Sequence, residues 1–268
     1  MRQVRLAGLF AVAVTTAPVV GAQVFNVGIP AGYTCTAANV SDACGTSSAS
    51  GSVTLAPGGG ARFGFVTTNG GNQRNPLAIN GTTNGTTLTS NTFTSTAGQS
   101  LGFAFNYITS DGAGFSDYAF VRLLSTTGQA PIVLFTARTV TSGNTVPGFG
   151  LPGIAPGVTL SPPSTPIIPG APVFSPANVA GCFNTGCGFT GWINASFMVT
   201  TADTYRLEFN VFNFNDTLFQ SALAFDFSSG AGGTPVTPTP GVVPEPSTYA
   251  MLGTGLIGLL AYRRRRSA

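Results

Sequence analysis

Leu101, Phe103, Phe105 and Tyr107 alternate with Gly102, Ala104, Asn106 and Ile108. This period of two constrains the fold more than any other feature of the chain. Successive side chains of a strand point to opposite faces, so such alternation predicts a half-buried β-strand. The pattern recurs. Asp117 to Ser125 sets Tyr118, Phe120, Arg122 and Leu124 on one face and Ala119, Val121 and Leu123 on the other. Ile132 to Arg138 is a third, mostly apolar run. Short polar turns separate the three, the first at Asp111 to Gly114, and together they predict an antiparallel meander.

The signal returns near the C-terminal end of the same region. Trp192 to Thr200 alternates loosely. Tyr205, Leu207, Phe209 and Val211 then alternate with Arg206, Glu208, Asn210 and Phe212, and Ser221 to Phe227 closes the series. The earlier part is weaker. Val24 to Val27, Ser52 to Leu55 and Ala61 to Thr67 are expected strands, the last two around the Pro57-Gly58-Gly59-Gly60 turn. Asn69 to Gly85 is rich in Asn, Gly and Thr and is expected to be a surface loop or short polar edge strands. Thr86 to Thr94 is expected to be a polar edge strand.

Between Val146 and Pro176 stand nine prolines. A central strand does not tolerate that density, because proline donates no ladder hydrogen bond. The stretch is expected to run extended across the surface, with Phe149, Leu151, Ile154, Ile167, Ile168 and Phe174 laid against the body. No amphipathic helix and no internal repeat is visible. The fold class that results is all-β: an antiparallel β-sandwich, jelly-roll-like.

Both ends of the chain depart from this pattern. Arg2 and Arg5, an apolar run from Leu6 to Val14, and Val20-Gly21-Ala22 make an export signal over residues 1–22, helical in its apolar part and removed by signal peptidase. At the other end, Gly230 to Val242 is a Gly/Thr/Pro-rich stalk. Then come Pro244, Glu245 and Pro246, an uncharged stretch from Thr248 to Tyr262, and Arg263, Arg264, Arg265 and Arg266. As a short transmembrane helix the uncharged stretch spans roughly 23 Å, less than a bilayer core of about 30 Å. The arginines belong on the cytoplasmic side, which puts Glu245 and everything before it outside.

This order of turn, apolar run and basic end over 243–268 resembles the PEP-CTERM sorting signal of Gram-negative exopolysaccharide producers. The resemblance implies an exosortase-type membrane protease that recognises Pro244-Glu245-Pro246 and removes the tail. It implies a transient stay in the inner membrane and an end location at the cell surface or beyond. An uncut C-terminal anchor is the plainer alternative. Within residues 23–229, the blocks Thr109 to Leu124, Gly181 to Trp192, Tyr205 to Asp216 and Ser221 to Phe227 resemble a group of exported proteins with the same kind of tail. That likeness implies a β-sandwich ectodomain and no particular activity. The closing strand also resembles the last strand of carbohydrate-binding jelly rolls, where an Asp near the end helps hold a structural calcium.

Charge and residue types narrow the chemistry. Outside the two signals, five arginines face seven carboxylates, and the chain has no Lys and no His. A basic nucleic-acid surface is excluded on that count. So are Ser-His-Asp and Cys-His nucleophile systems. Cys35 with Cys44 and Cys182 with Cys187 read as two small disulfide loops in an exported chain. The rival is a zinc site, which needs four converging thiolates and has no C-x-x-C spacing here. Asp111, Asp117, Asp216 and Asp226 are the candidate ligands for a structural calcium, the only cofactor the composition suggests. For Asp226 the alternative is a solvent-facing phase shared with Ala222 and Ala224. Trp192 is either a sugar-stacking platform or core packing beside the Cys182/Cys187 loop. Asp111 and Asp117 are also the candidate carboxylate pair for a glycosidase, with a capped turn as the alternative.

These observations lead to a non-catalytic structural or adhesive component of an exopolysaccharide matrix or biofilm. A calcium-dependent carbohydrate-binding module is the first alternative, and a glycan-active hydrolase the second.

Overall fold

The computed structural model describes residues 25–72 and 76–227. The export signal, the stalk, Pro244 to Pro246, the apolar tail and Arg263 to Arg266 lie outside the described residues. Among the described residues no helix is long and apolar enough to cross a membrane.

In chain order the first strands are β1 (Thr34–Thr36), β2 (Cys44–Ser47), β3 (Phe63–Thr67), β4 (Thr82–Thr89), β5 (Phe93–Ser95), β6 (Ser100–Thr109), β7 (Tyr118–Ser125) and β8 (Ile132–Arg138). The proline-rich stretch and its flanks hold β9 (Asn144–Val146), β10 (Val158–Ser161), β11 (Thr165–Pro166), β12 (Ile168–Pro169), β13 (Val173–Phe174), β14 (Val179–Ala180) and β15 (Gly188–Phe189). Three long strands finish the body: β16 (Ile193–Met198), β17 (Asp203–Phe214) and β18 (Ser221–Asp226).

One sheet runs β1-β4-β17-β7-β8, with β5 also paired to β17, and the other runs β10-β16-β6-β18-β3-β2. Eight strands (β3, β4, β6, β7, β8, β16, β17, β18) alternate between the sheets at every connection except β7 to β8. Taken as first to eighth, they are ordered 2-7-4-5 in one sheet and 6-3-8-1 in the other. All neighbours are antiparallel. Two interlocked Greek keys of this kind are a jelly roll.

The core lies between the sheets. Leu101, Phe103, Phe105 and Tyr107 of β6 meet Tyr205, Leu207, Phe209 and Val211 of β17 and Val121 and Leu123 of β7. Phe209 stacks on Phe225 of β18 with ring centroids 3.8 Å apart. Phe105 packs on Phe135 of β8 at 4.9 Å. Each such aromatic pair adds about 0.5–1.5 kcal/mol beyond the area it buries.

Several local expectations change. The meander is replaced by a crossing: β6 sits in one sheet and β7 and β8 in the other. The reason is the long 110–117 connection, which carries the chain over the end of the sandwich. β6 is buried on both faces rather than half-buried, because a second apolar cluster covers its outer side. That cluster joins Val53, Phe63, Phe65, Ile108, Ala222 and Ala224 to Phe174, Ala177 and Val179 from the end of the proline-rich stretch. Phe174 therefore lies against the body as expected, whereas Phe149 is 78 % exposed and Ile168 is exposed too. β10, from the same stretch, adds an edge strand beside β16.

Phe25 to Val27 is a turn, not a strand, and the 52–55 region forms only an isolated bridge between Ser50 and Val53. β4 begins inside the expected loop and is no edge: it lies between β1 and β17. Its threonines are tolerated there because they find partners. Thr86 Oγ1 donates to the Thr67 carbonyl at 2.6 Å and Thr87 Oγ1 to Asn210 Oδ1 at 2.8 Å.

Cys35–Cys44 and Cys182–Cys187 are both disulfide-bonded, with no free cysteine among the described residues. The first joins β1 to β2, the marginal strands of opposite sheets, and so staples the sandwich along one side.

Candidate functional site

Jelly-roll topology decides which aspartates meet. The connections β3–β4, β6–β7 and β17–β18 all turn at one end of the sandwich. Asp111 and Asp117 bound the β6–β7 connection, and Asp216 stands in β17–β18. Asp226 ends β18, where the register pairs it with Ala104, five positions along β6 from the Thr109 partner of Ser221. It therefore belongs to the opposite end and is not part of the same group.

Asp117 is wholly buried. Its Oδ1 accepts the Phe214 amide at 2.9 Å and its Oδ2 accepts the Ser221 hydroxyl at 2.6 Å. Ser221 Oγ also lies 2.8 Å from Thr109 Oγ1, whose hydroxyl can donate to it, and Thr139 Oγ1 lies 2.9 Å from the Tyr107 hydroxyl and 3.3 Å from Thr109 Oγ1. A polar layer thus closes this end of the core. Asp111 is also wholly buried, and neither of its carboxylate oxygens has a well-formed hydrogen bond; its nearest polar neighbours are the Gly112 amide and the Asp117 carboxyl. Asn213, three residues before Asp216, leaves its Oδ1 unpaired as well.

Burial pushes the Asp111 carboxyl up to about 7, with the nearby Asp216 charge adding to it. Asp117 is pushed well up, first by burial and then by the charge of Asp111. Asp216 is raised by partial burial. Two buried acids with no arginine among their partners are either protonated or matched by a cation.

The second disulfide loop walls this site. The Phe183 amide donates to the Ser110 carbonyl at 2.8 Å and the Ala113 amide to the Thr185 carbonyl at 2.9 Å. Gly112 is required by this closeness, since a Cβ there would meet the Asn184 carbonyl oxygen at 2.4 Å. Outside the wall, Phe183 packs on Phe115 and Phe219 at 5.2 and 5.0 Å, with Phe183 and Phe219 partly exposed. Among the described residues no three His, Cys, Asp or Glu side chains are grouped so that all three could hold one metal ion. Asp111 and Asp117 are the inner pair, with Asp216 beside them.

Asp226 corrects the solvent-facing expectation. It shares the outer phase with Ala222 and Ala224, but that face is covered and Asp226 is 3 % exposed. It accepts the Gly60 amide at 3.3 Å and the Phe227 amide at 2.8 Å. Burial raises its carboxyl to about 6.

Trp192 belongs to the cluster on the outer face of the β6 sheet. It meets Phe63 edge to face at 5.4 Å and donates from Nε1 to the Thr54 carbonyl at 2.9 Å. Arg122 pairs with the buried Glu208, its Nε 2.9 Å from Oε2, on the outer face of the β17 sheet. Beside that pair runs a shallow polar groove of about 460 Å³ lined by Thr34, Thr36, Thr89, Asn91, Arg206 and Glu208. Neither this groove nor the apolar depression at Pro147, Ile154 and Leu160 reaches Asp111 or Asp117.

The structure thus defines a disulfide-stapled jelly roll with a buried acidic end. Beyond it, residues 242–266 match the PEP-CTERM protein-sorting motif. A chain ending in that motif is exported, passes through a membrane-anchored intermediate and is processed by an exosortase, itself a membrane protein. No curated protein and no solved structure matches the chain.

Proposed function

We propose that the mature protein is a non-catalytic component of the cell surface or extracellular matrix, structural or adhesive in an exopolysaccharide-bearing biofilm. The sorting motif carries this reading, because it commits the chain to an extracytoplasmic address. Support comes from the fold. Most large aromatics are spent on two packed cores, and Asp111 and Asp117 are buried, away from the groove at Glu208 and the depression at Leu160. The hydrolase reading has the least support for that reason, since a glycosidase needs both carboxyls beside the sugar.

A second reading is a carbohydrate-binding module. The partly exposed rings of Phe183 and Phe219 beside the acidic end favour it.

The test is fractionation of the host's extracellular polymer with and without the protein. Loss of polymer cohesion on deleting the protein, with no release of reducing sugar by purified protein, supports the matrix role. Saturable binding to one purified polysaccharide that Phe183→Ala abolishes moves the assignment to the second reading. Release of reducing ends overturns both.

A further inference from the structure

We propose that Asp111 and Asp117 hold a calcium ion at the loop end of the jelly roll. Asp216 adds negative charge nearby but no ligand. The inference concerns a site and stands apart from the role proposed above. Its basis is Asp111. This carboxylate is 0 % exposed, and both oxygens are without a well-formed hydrogen bond. A buried carboxylate in that state is costly unless something supplies the missing positive charge or donors. Among the described residues no side chain does so: Arg62 is bonded to Thr46, Arg122 to Glu208 and Arg138 to the Ser116 and Phe149 carbonyls, and Arg206 lines the groove beside Glu208.

Asp117 supports the same conclusion from the other side. Its two oxygens accept one hydrogen bond each. A carboxylate has about four lone-pair sites, so both oxygens keep one free for a metal. Asp216 contributes a third negative charge within electrostatic reach of both. The remaining donors nearby are neutral oxygens, the Thr109 and Ser221 hydroxyls of the polar layer.

The donor set selects the ion. Every group is a hard oxygen; the chain has no His, and all four cysteines are in disulfides. That excludes the softer transition metals and leaves calcium or magnesium. Magnesium demands near-ideal octahedral geometry and keeps several waters. This site is walled by the 182–187 loop, with Gly112 packed against the Asn184 backbone, so the ion must shed most of its water. Calcium, with flexible coordination by carboxylates and neutral oxygens, fits better. Extracellular modules of this kind bind calcium with dissociation constants of about 10⁻⁴–10⁻³ M.

The test uses the purified exported chain with both disulfides intact. Thermal unfolding is followed in chelator, in calcium and in magnesium, and calcium binding is measured by titration calorimetry. One calcium per chain is expected, with a Tm rise of about 5 °C or more once calcium exceeds its dissociation constant about a hundredfold. Magnesium is expected to bind at least tenfold more weakly. Asp111→Asn removes the calcium response while folding in chelator, because the side chain keeps its shape and loses only its charge. Asp226→Asn, at the opposite end, keeps the response. Equal Tm in calcium and chelator, with no binding heat, overturns the proposal and leaves Asp111 and Asp117 as a pair that is protonated instead. A calcium response that survives Asp111→Asn overturns it too.

Discussion

The Ser221 hydroxyl donates to Asp117 Oδ2 at 2.6 Å, joining the first residue of β18 to the residue just before β7 across the two sheets. The same oxygen reaches Thr109 Oγ1, so one serine ties three segments of the core's polar end. Removing a hydroxyl that serves a buried acid leaves that acid short of a donor, which costs about 1–3 kcal/mol. Ser221→Ala is therefore expected to lower the urea midpoint by that amount of stability, with an unchanged slope. A loss below about 0.5 kcal/mol would mean that the contact is not maintained in solution.

At the other end of β18, Asp226 sets a pH dependence. Its carboxyl is raised from the usual value to about 6 by burial. The folded state thus holds a proton that the unfolded chain releases at lower pH. Stability from this group is full below about pH 4 and declines as pH rises to about 6, then levels off, a total of roughly 3 kcal/mol. Asp226→Asn keeps the shape and removes the charge. It is expected to unfold at higher temperature than the parent at pH 7.5 and to lose the difference at pH 4. An Asn variant less stable at neutral pH would show that the charged form is the one the Gly60 and Phe227 amides favour.

The sheet faces were legible and the sheet partners were not. Alternation in β6, β7, β17 and β18 gives the core phase directly, since period two is a local property. Whether β6 pairs with β7 is decided by the length and path of residues 110–117, which periodicity does not encode. Asp226 differs for a related reason: its phase is outer, but the turn around Gly59 and Gly60, 166 positions earlier, closes over it. A signal for the acidic end was present. Carried past the strand ends, the core-facing phase runs from Tyr107 to Thr109 and Asp111, from Ala119 back to Asp117, from Val211 to Asn213 and from Leu223 back to Ser221. Polar residues in the buried phase on four strands mark a shared polar end. The three aspartates were named from residue type, and Thr109, Asn213 and Ser221 were missed because each alone is an ordinary strand-end residue.

The two disulfides are expected to fail differently. Cys35–Cys44 joins the sheets, so the double variant Cys35→Ser/Cys44→Ser should lose about 2–3 kcal/mol of global stability. Cys182–Cys187 closes a surface loop against the β6–β7 connection. Its double serine variant should lose less globally and open locally. Hydrogen exchange is the discriminating measurement: the Ala113 and Phe183 amides, bonded to Thr185 and Ser110, should exchange at least tenfold faster while β6 and β17 amides stay protected. Uniform acceleration across both sheets would mean that the loop is part of the global folding unit.

Export makes a prediction that is independent of the jelly roll. The sorting motif spans residues 242–266, from the Pro-Glu-Pro turn to the arginines. Pro244 and Pro246 flank Glu245, the only charged residue between Asp226 and Arg263. Glu245→Ala leaves the segment able to insert but alters the neck that the protease must grip. Deleting Arg263 to Arg266 removes the basic end that orients the tail for the protease, while the apolar stretch can still insert. Each change is expected to leave a longer, membrane-associated precursor in the host and to deplete the mature form outside. Because the jelly roll folds from residues well upstream, the precursor should keep both disulfides and the parent's Tm. Normal maturation of both variants would overturn the reading of the Pro-Glu-Pro turn and the arginines as the sorting signal, and precursor with reduced cysteines would show that sorting and folding are coupled.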